Sequence, residues 1–132
     1  MASDRDIQKI AMEMEYCQNQ AEEIQAQIRT LNALVQENDS AKEALQNLSE
    51  KNESLFAIGS GVFVKAKPSS NKVLVEIGAK VLAEKNFGDA AKSLDERRER
   101  LAAALSKMQE ALGQLSARMQ ALNEKAEELQ QR

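Results

Sequence analysis

Residues 7–35 read IQKIAMEMEYCQNQAEEIQAQIRTLNALV, and the apolar side chains in that run return in steps of three and four: Ile7, Ile10, Met14, Cys17, Ala21, Ile24, Ile28, Leu31 and Val35. A second run with the same rhythm closes the sequence: Phe87, Ala91, Leu94, Leu101, Leu105, Met108, Leu112, Leu115, Met119, Leu122, Ala126 and Leu129, interrupted once by Arg98. A repeat averaging 3.5 residues is the a/d seam of a coiled coil. Two such helices joined by a compact middle must fold back antiparallel, because only then do both seams find a partner in one chain. The expected fold is therefore mostly α with a small β insert: a long antiparallel two-helix coiled coil with two β-hairpins between the helices. As a single domain it divides into an N-terminal coiled-coil helix (1–53), a hairpin segment (54–86) and a C-terminal coiled-coil helix (87–132).

Composition excludes a rounded core. Aromatic residues make up only 3% of the 132 residues, tryptophan is absent, and the one proline is Pro68. A spherical domain of this length would bury more large rings. No run approaches the roughly 18 apolar residues of a membrane span. The start, Met1-Ala2-Ser3-Asp4-Arg5-Asp6, lacks the apolar stretch of a signal peptide, so the expectation is a soluble cytoplasmic protein without membrane association.

Charge is uneven. Residues 1–53 carry five Lys/Arg against eleven Asp/Glu, residues 54–86 five against two, and residues 87–132 eight against eight. An acidic first helix does not track a phosphate backbone, and the lysines of the middle segment lack interleaved aromatics, so nucleic acid is not an expected partner. Cys17 is the only cysteine and there is no histidine. Cys17 falls at a d position and reads as a small apolar group of the seam. Without histidine, the usual zinc sites, Ser-His and Cys-His nucleophiles and histidine acid/base chemistry are excluded. No Gly-rich phosphate loop is followed by Lys-Ser/Thr. The chain reads as a non-enzyme with no catalytic residues, metal or cofactor.

Along the chain, Ser3 and Asp6 have the spacing of a helix-capping pair. The first seam is regular to Val35 and then reads as slipping to Leu34, Ala41, Leu45 and Leu48, a stammer that would overwind the coiled coil locally. The helix is expected to end in the polar stretch 50–54. The second is expected to start at Asn86, with Asp89 three residues on. Setting Glu53 opposite Phe87 places Arg98 level with Lys42. The polar break then either specifies register, by forbidding other pairings, or marks a loosened point where the arms flex.

Between the arms the period drops to two. Val62, Val64 and Ala66 alternate with Phe63, Lys65 and Lys67, and Val73, Val75 and Ile77 alternate with Leu74, Glu76 and Gly78, as strands do. Gly59-Ser60-Gly61, Pro68-Ser69-Ser70-Asn71 and Gly78-Ala79 are turn clusters. Ile58–Lys65 also resembles Ile77–Glu84, nineteen residues later, which predicts two similar hairpins. Isolated hairpins are marginal in water and their edges invite pairing. With both helices committed to each other, the strands should pair with other subunits through Phe56, Ile58, Val62, Phe63, Val64, Val73, Val75, Ile77 and Val81. Burying about 100 Å² of each is worth about 2 kcal/mol apiece.

Helix, two β-hairpins, helix, with Ile58-Gly59-Ser60-Gly61-Val62-Phe63-Val64-Lys65-Ala66, Val73-Leu74-Val75-Glu76-Ile77-Gly78-Ala79 and Ala83-Glu84-Lys85-Asn86-Phe87, resembles the α-type subunit of archaeal prefoldin over the whole chain. The β-type subunit resembles this plan with a single hairpin. The resemblance implies an ATP-independent chaperone in which two α-type and four β-type subunits build a double β-barrel carrying six coiled-coil tentacles. The tentacles would hold unfolded client proteins and deliver them to a group II chaperonin. The arm ends are the physical candidates for client contact: Ile7, Ile10 and Met14 face Met119, Leu122 and Leu129, with Met12 at an outward f position and Tyr16 at c. Methionines adapt to many partner shapes, although a/d residues at a helix end belong by default to the seam. The alternative class is a structural coiled-coil assembly or filament subunit without client transfer.

Overall fold

In the computed structural model the described residues are 4–131. The order is α1 (Asp4–Asn47), β1 (Ser54–Gly59), β2 (Val62–Ala66), β3 (Lys72–Gly78), β4 (Val81–Asn86) and α2 (Phe87–Gln130). Two 44-residue helices thus flank two antiparallel two-stranded sheets, β1–β2 and β3–β4. The chain groups into two compact units, Met1–Leu34 with Leu101–Arg132, and Val35–Arg100.

α1 contains neither Gly nor Pro, and Asp4 and Asp6 in its first turn complement the positive end of the helix dipole. The expected cap at Ser3 lies outside the described residues. The helix stops at Asn47, slightly before the polar boundary, where the Leu48 N–H donates to the Leu45 carbonyl at 3.3 Å and the Lys51 N–H to Ser49 Oγ at 3.1 Å. α2 starts where the sequence places it. Asn86 Oδ1 accepts the Asp89 N–H at 2.7 Å, satisfying one of the orphan donors of the first turn.

In the first unit the two helices run antiparallel on the expected seam. Ile10, Cys17 and Leu122 are buried together, and Met14, Leu115, Met119, Ala126 and Leu129 pack against them. Cys17 is a free, buried thiol. Glu13 and Arg118 join the helices by an ion pair of 2.8 Å.

The second unit departs from the sequence reading at 34–42. Leu34 and Ala41 are exposed, whereas Asn38 is only 5% exposed and Lys42 and Leu45 are half-buried. The seam therefore continues without a stammer through Leu31, Val35, Asn38, Lys42 and Leu45, carrying two polar residues where the pattern called for apolar ones. Asn38 Nδ2 donates to the Leu94 carbonyl across the helix pair at 2.9 Å. The register differs too. Arg98 lies level with Asp39, with Nε–Oδ1 at 2.8 Å, and Lys42 meets Asp95 at 2.6 Å. Pairing Arg98 with Lys42 would have set two cations face to face. The Asp39 carboxylate, by its hydrogen bond and then by its charge, raises the Arg98 guanidinium above its ordinary pKa, with Asp95 adding to the effect.

Both hairpins turn through two residues of positive φ: Ser60 (52°) and Gly61 (78°) in the first, Ala79 (49°) and Lys80 (63°) in the second. Two positive-φ residues make the type I′ turn, whose twist matches that of the strands. Each turn follows a glycine of positive φ, Gly59 or Gly78, at a shift in strand register. The nineteen-residue repeat is thus a repeat of conformation, with Lys80 standing in the place of Gly61.

Three outcomes follow for stability. A side chain at left-handed φ costs about 1 kcal/mol, so Lys80→Gly raises the thermal midpoint at fixed chain concentration and Gly61→Lys lowers it, since a Cβ at Gly61 meets no atom within 4 Å and only its φ of 78° opposes the change. Asn38 Oδ1 is buried without a hydrogen-bond partner. Because such an atom costs about 1–3 kcal/mol, Asn38→Leu raises the urea midpoint.

Candidate functional site

Large apolar side chains are exposed on the hairpins in a way that a self-sufficient fold does not tolerate. In the first hairpin Leu55 and Phe63 lie on one face, and Phe56 and Val64 on the other, by the pairings Leu55↔Lys65, Phe56↔Val64 and Ala57↔Phe63. All four are exposed, as are Ile58 and Val62 near the turn. The ribbon is bare on both sides.

The second hairpin is different. Val73↔Lys85 and Val75↔Ala83 share one face, and all four residues are half-buried. Leu74↔Glu84 and Glu76↔Leu82 share the other, and all four are exposed. The half-buried face turns to α2: Lys85 Nζ donates to Ser93 Oγ at 2.7 Å, Arg97 Nη2 donates to the Glu76 carbonyl at 3.2 Å, and Val75, Ile77 and Lys85 line a cleft with Ser93, Glu96, Arg97 and Arg100. The expectation that nothing in the chain could cover the strands therefore fails for this face. α2 has its seam on one side only, and Ser93, Arg97 and Arg100 lie off that seam, free to meet the hairpin.

The structure accordingly divides the nine residues expected at an assembly surface. Phe56, Ile58, Val62, Phe63, Val64, Ile77 and Val81 are exposed; Val73 and Val75 are half-buried toward α2. Leu55, Leu74 and Leu82 join the exposed set unannounced. Leu74 and Leu82 share their face with Glu76 and Glu84, so the alternation made the valine face look like the sticky one.

At the arm ends Ile10 and Leu122 are buried, while Ile7, Met14, Met119 and Leu129 are half-buried in the seam. Met12 is 71% exposed and Tyr16, one turn on, 64%. A cleft of about 400 Å³ opens beside the seam, floored by Ile10, Ala121, Leu122 and Leu129 and rimmed by Asp6, Lys9, Glu13, Arg118 and Lys125. Further along, Ala26, Leu31, Ala104 and Met108 line a second, apolar groove that the heptad pattern gave no reason to expect. Among the described residues no cluster of three or more His, Cys, Asp or Glu is placed to hold a metal, and no helix is long and apolar enough to cross a membrane.

Residues 17–132 match the family model described as Prefoldin subunit. The chain belongs to the prefoldin subunit family. It is 30% identical to the prefoldin subunit alpha of Pyrococcus horikoshii, covering 98% of this chain and 91% of that one. It is 32% identical to that of Methanosarcina barkeri, covering 98% and 94%, and 33% identical to that of Thermofilum pendens, covering 90% and 94%. A cryo-EM structure described as filamentous PFD from Methanocaldococcus jannaschii shares the fold with a TM-score of 0.52 at 21% identity, covering 93% of this chain and 99% of that one. Prefoldins are chaperones, and membership makes this chain a chaperone-type subunit.

Seam and surface at the arm end separate by mutation. Ile10→Ala lowers unfolding stability by about 2–4 kcal/mol. Met12→Ser changes it by less than about 0.5 kcal/mol, both read from urea midpoints by circular dichroism.

Proposed function

We propose that this chain is the α-type subunit of an ATP-independent chaperone, assembled through residues 54–86 with β-type subunits, two of this chain to four of the partner. Unfolded proteins bind at the ends of the coiled-coil arms and pass from there to a group II chaperonin. One observation carries the assembly part: a ribbon with Leu55 and Phe63 exposed on one face and Phe56 and Val64 on the other. Isolated two-stranded ribbons are marginal in water, and covering these side chains is worth about 2 kcal/mol each. Family membership supports the chaperone part. Ile7, Ile10, Met12, Met14, Met119, Leu122 and Leu129 supply the apolar contact at the arm ends. The charged rim above Ile10 and Leu122 keeps that end hydrated while no client is bound.

A second reading, a propagating structural assembly without client transfer, draws on the fold shared with a filamentous relative. The two differ in measurable ways. Mixed with a one-hairpin β-type subunit, the chain forms a particle of fixed mass by light scattering and suppresses aggregation of a chemically denatured protein without ATP. Deleting residues 1–14 and 119–132 abolishes the suppression and leaves the mass of the assembly that of two shortened chains with four partner subunits. Mass that grows with concentration, or full suppression by the shortened chain, overturns the corresponding part.

A further inference from the structure

Away from the seam, one line of side chains runs along α1 from the arm end to an open groove. Met12, Tyr16, Asn19, Glu23, Ala26 and Thr30 follow in steps of four and three, so they share one face of the helix. All six are exposed. From Met12 to Thr30 the line is about 27 Å long at about 1.5 Å per residue. Glu23, Ala26 and Thr30 also line the apolar groove of about 500 Å³, which lies within the first unit. The half-buried seam residues Leu31 and Met108 form its floor. Ala26 on α1 and Ala104 on α2 keep it open, because a longer side chain at either position would fill it.

The groove is poor in polar groups. Thr30 Oγ1 donates to the Ala26 carbonyl at 3.2 Å, which leaves Glu23 and Gln27 as the polar rim. The charge around it is one-sided. Between Lys9 and Arg29, α1 carries Glu13, Glu15, Glu22 and Glu23 and no cation. Glu13 is paired with Arg118, whereas no ion pair among the described residues reaches Glu15, Glu22 or Glu23. On the other helix, Lys107 stands next to Met108 but does not line the groove. The cleft at the arm end differs in this respect, since Lys9, Arg118 and Lys125 stand there beside Asp6 and Glu13. That cleft has no preference for either sign of charge; the groove favours a cation.

We propose that this line and its groove form a second contact region for unfolded chains, selecting extended segments in which a bulky apolar residue lies next to lysine or arginine. This rests on the reading of the arms as client-binding elements. The apolar side chain enters between Ala26 and Ala104 onto Leu31 and Met108, and the neighbouring cation lies against Glu22 and Glu23. An extended segment of about eight residues, at about 3.3 Å each, reaches from there to Met12 and Tyr16. Nothing in this contact requires the seam to open, in contrast to one made through Ile10 and Leu122. Opposite charge acts here chiefly on selection and on the rate of encounter, and the groove supplies the apolar anchor.

The test uses the full chain and two fluorescent peptides, each with leucine and phenylalanine at its centre, flanked in one by lysines and in the other by glutamates. Fluorescence anisotropy at low salt is expected to show the lysine peptide binding roughly tenfold more tightly. The difference shrinks to less than about twofold at 1 M salt, where the screening length is about 3 Å. Ala26→Gln lays a longer neutral side chain over the groove at an exposed position, with a residue that helices accept. It is expected to weaken the lysine peptide about tenfold, equivalent to about 1.4 kcal/mol, with the urea midpoint unmoved. Glu23→Gln is expected to reduce the preference for the lysine peptide by roughly threefold. If Ala26→Gln binds as the unaltered chain does while Met12→Ser binds more weakly, the groove assignment is overturned and the arm-end reading stands. Equal binding of both peptides at low salt overturns the charge selection. An unaltered chain that binds neither peptide overturns the whole proposal. If its assembly with a one-hairpin subunit also fails to suppress aggregation, the client reading falls with it.

Discussion

A two-stranded ribbon uses half of its backbone hydrogen-bonding groups internally and turns the other half outward, and it can hide at most one face against a neighbour of its own chain. The rest of this fold is arranged around that constraint. The coiled-coil seams consume one side of each helix, because Ile10, Cys17 and Leu122 in one unit and Asn38 and Leu94 in the other meet across the helix pair. What remains for the hairpins is the off-seam side of α2. It takes one face of β3–β4 through Ser93 and Arg97 and caps one backbone acceptor. No such bond from the described residues reaches β1–β2. The apolar surface that a folded monomer leaves in water is thus concentrated on the first hairpin and on the Leu74–Leu82 face of the second.

Polar residues in the seam of the second unit act on register more than on stability. Asp39–Arg98 and Lys42–Asp95 are exposed ion pairs, each worth about 0–1 kcal/mol. Asn38 hides an oxygen without a partner, which opposes folding. Sliding one helix past the other by a turn would bring Lys42 toward Arg98 and leave Asp39 without its cation. The cluster therefore penalises wrong alignments more than it strengthens the right one, which is how a buried polar group specifies a coiled coil. This alignment also sets where Arg97 stands, one residue before Arg98 on the face that meets β3.

How much of this could be read in the sequence depends on the range of the physics. The seam from Ile7 to Val35 and from Phe87 to Leu129 was legible because heptad spacing is local, and so was the helix start at Asn86. The two hairpins and their shared turn followed from the nineteen-residue repeat. The seam between 34 and 42 was misread because Asn38 and Lys42 are polar, and the apolar track jumped to Leu34 and Ala41 instead. The opposite charges of Asp39 and Arg98 carry the register information that periodicity lacks. Nothing local could reveal that α2 covers the valine face of β3. The Glu76–Arg97 bond joins residues 21 apart, and which face of a strand is buried is decided by the neighbour it meets.

The arm ends carry a tension of the same kind. Ile10 and Leu122 cannot at once fill the seam and contact a client, since both are buried there. Exposing them returns about 2 kcal/mol each to water, and a client that binds only the opened end has its affinity reduced by the fraction of arms that are open. Met12 and Tyr16 stand outside that trade, since both are exposed with the end closed. In the proposed chaperone assembly, a client held by a few such side chains on each of several arms has weak single contacts and a stronger collective one, through effective concentration. On the proposed reading, a grip of that kind releases one arm at a time, without a chemical step, and it needs an assembly that keeps several arms within reach of one client.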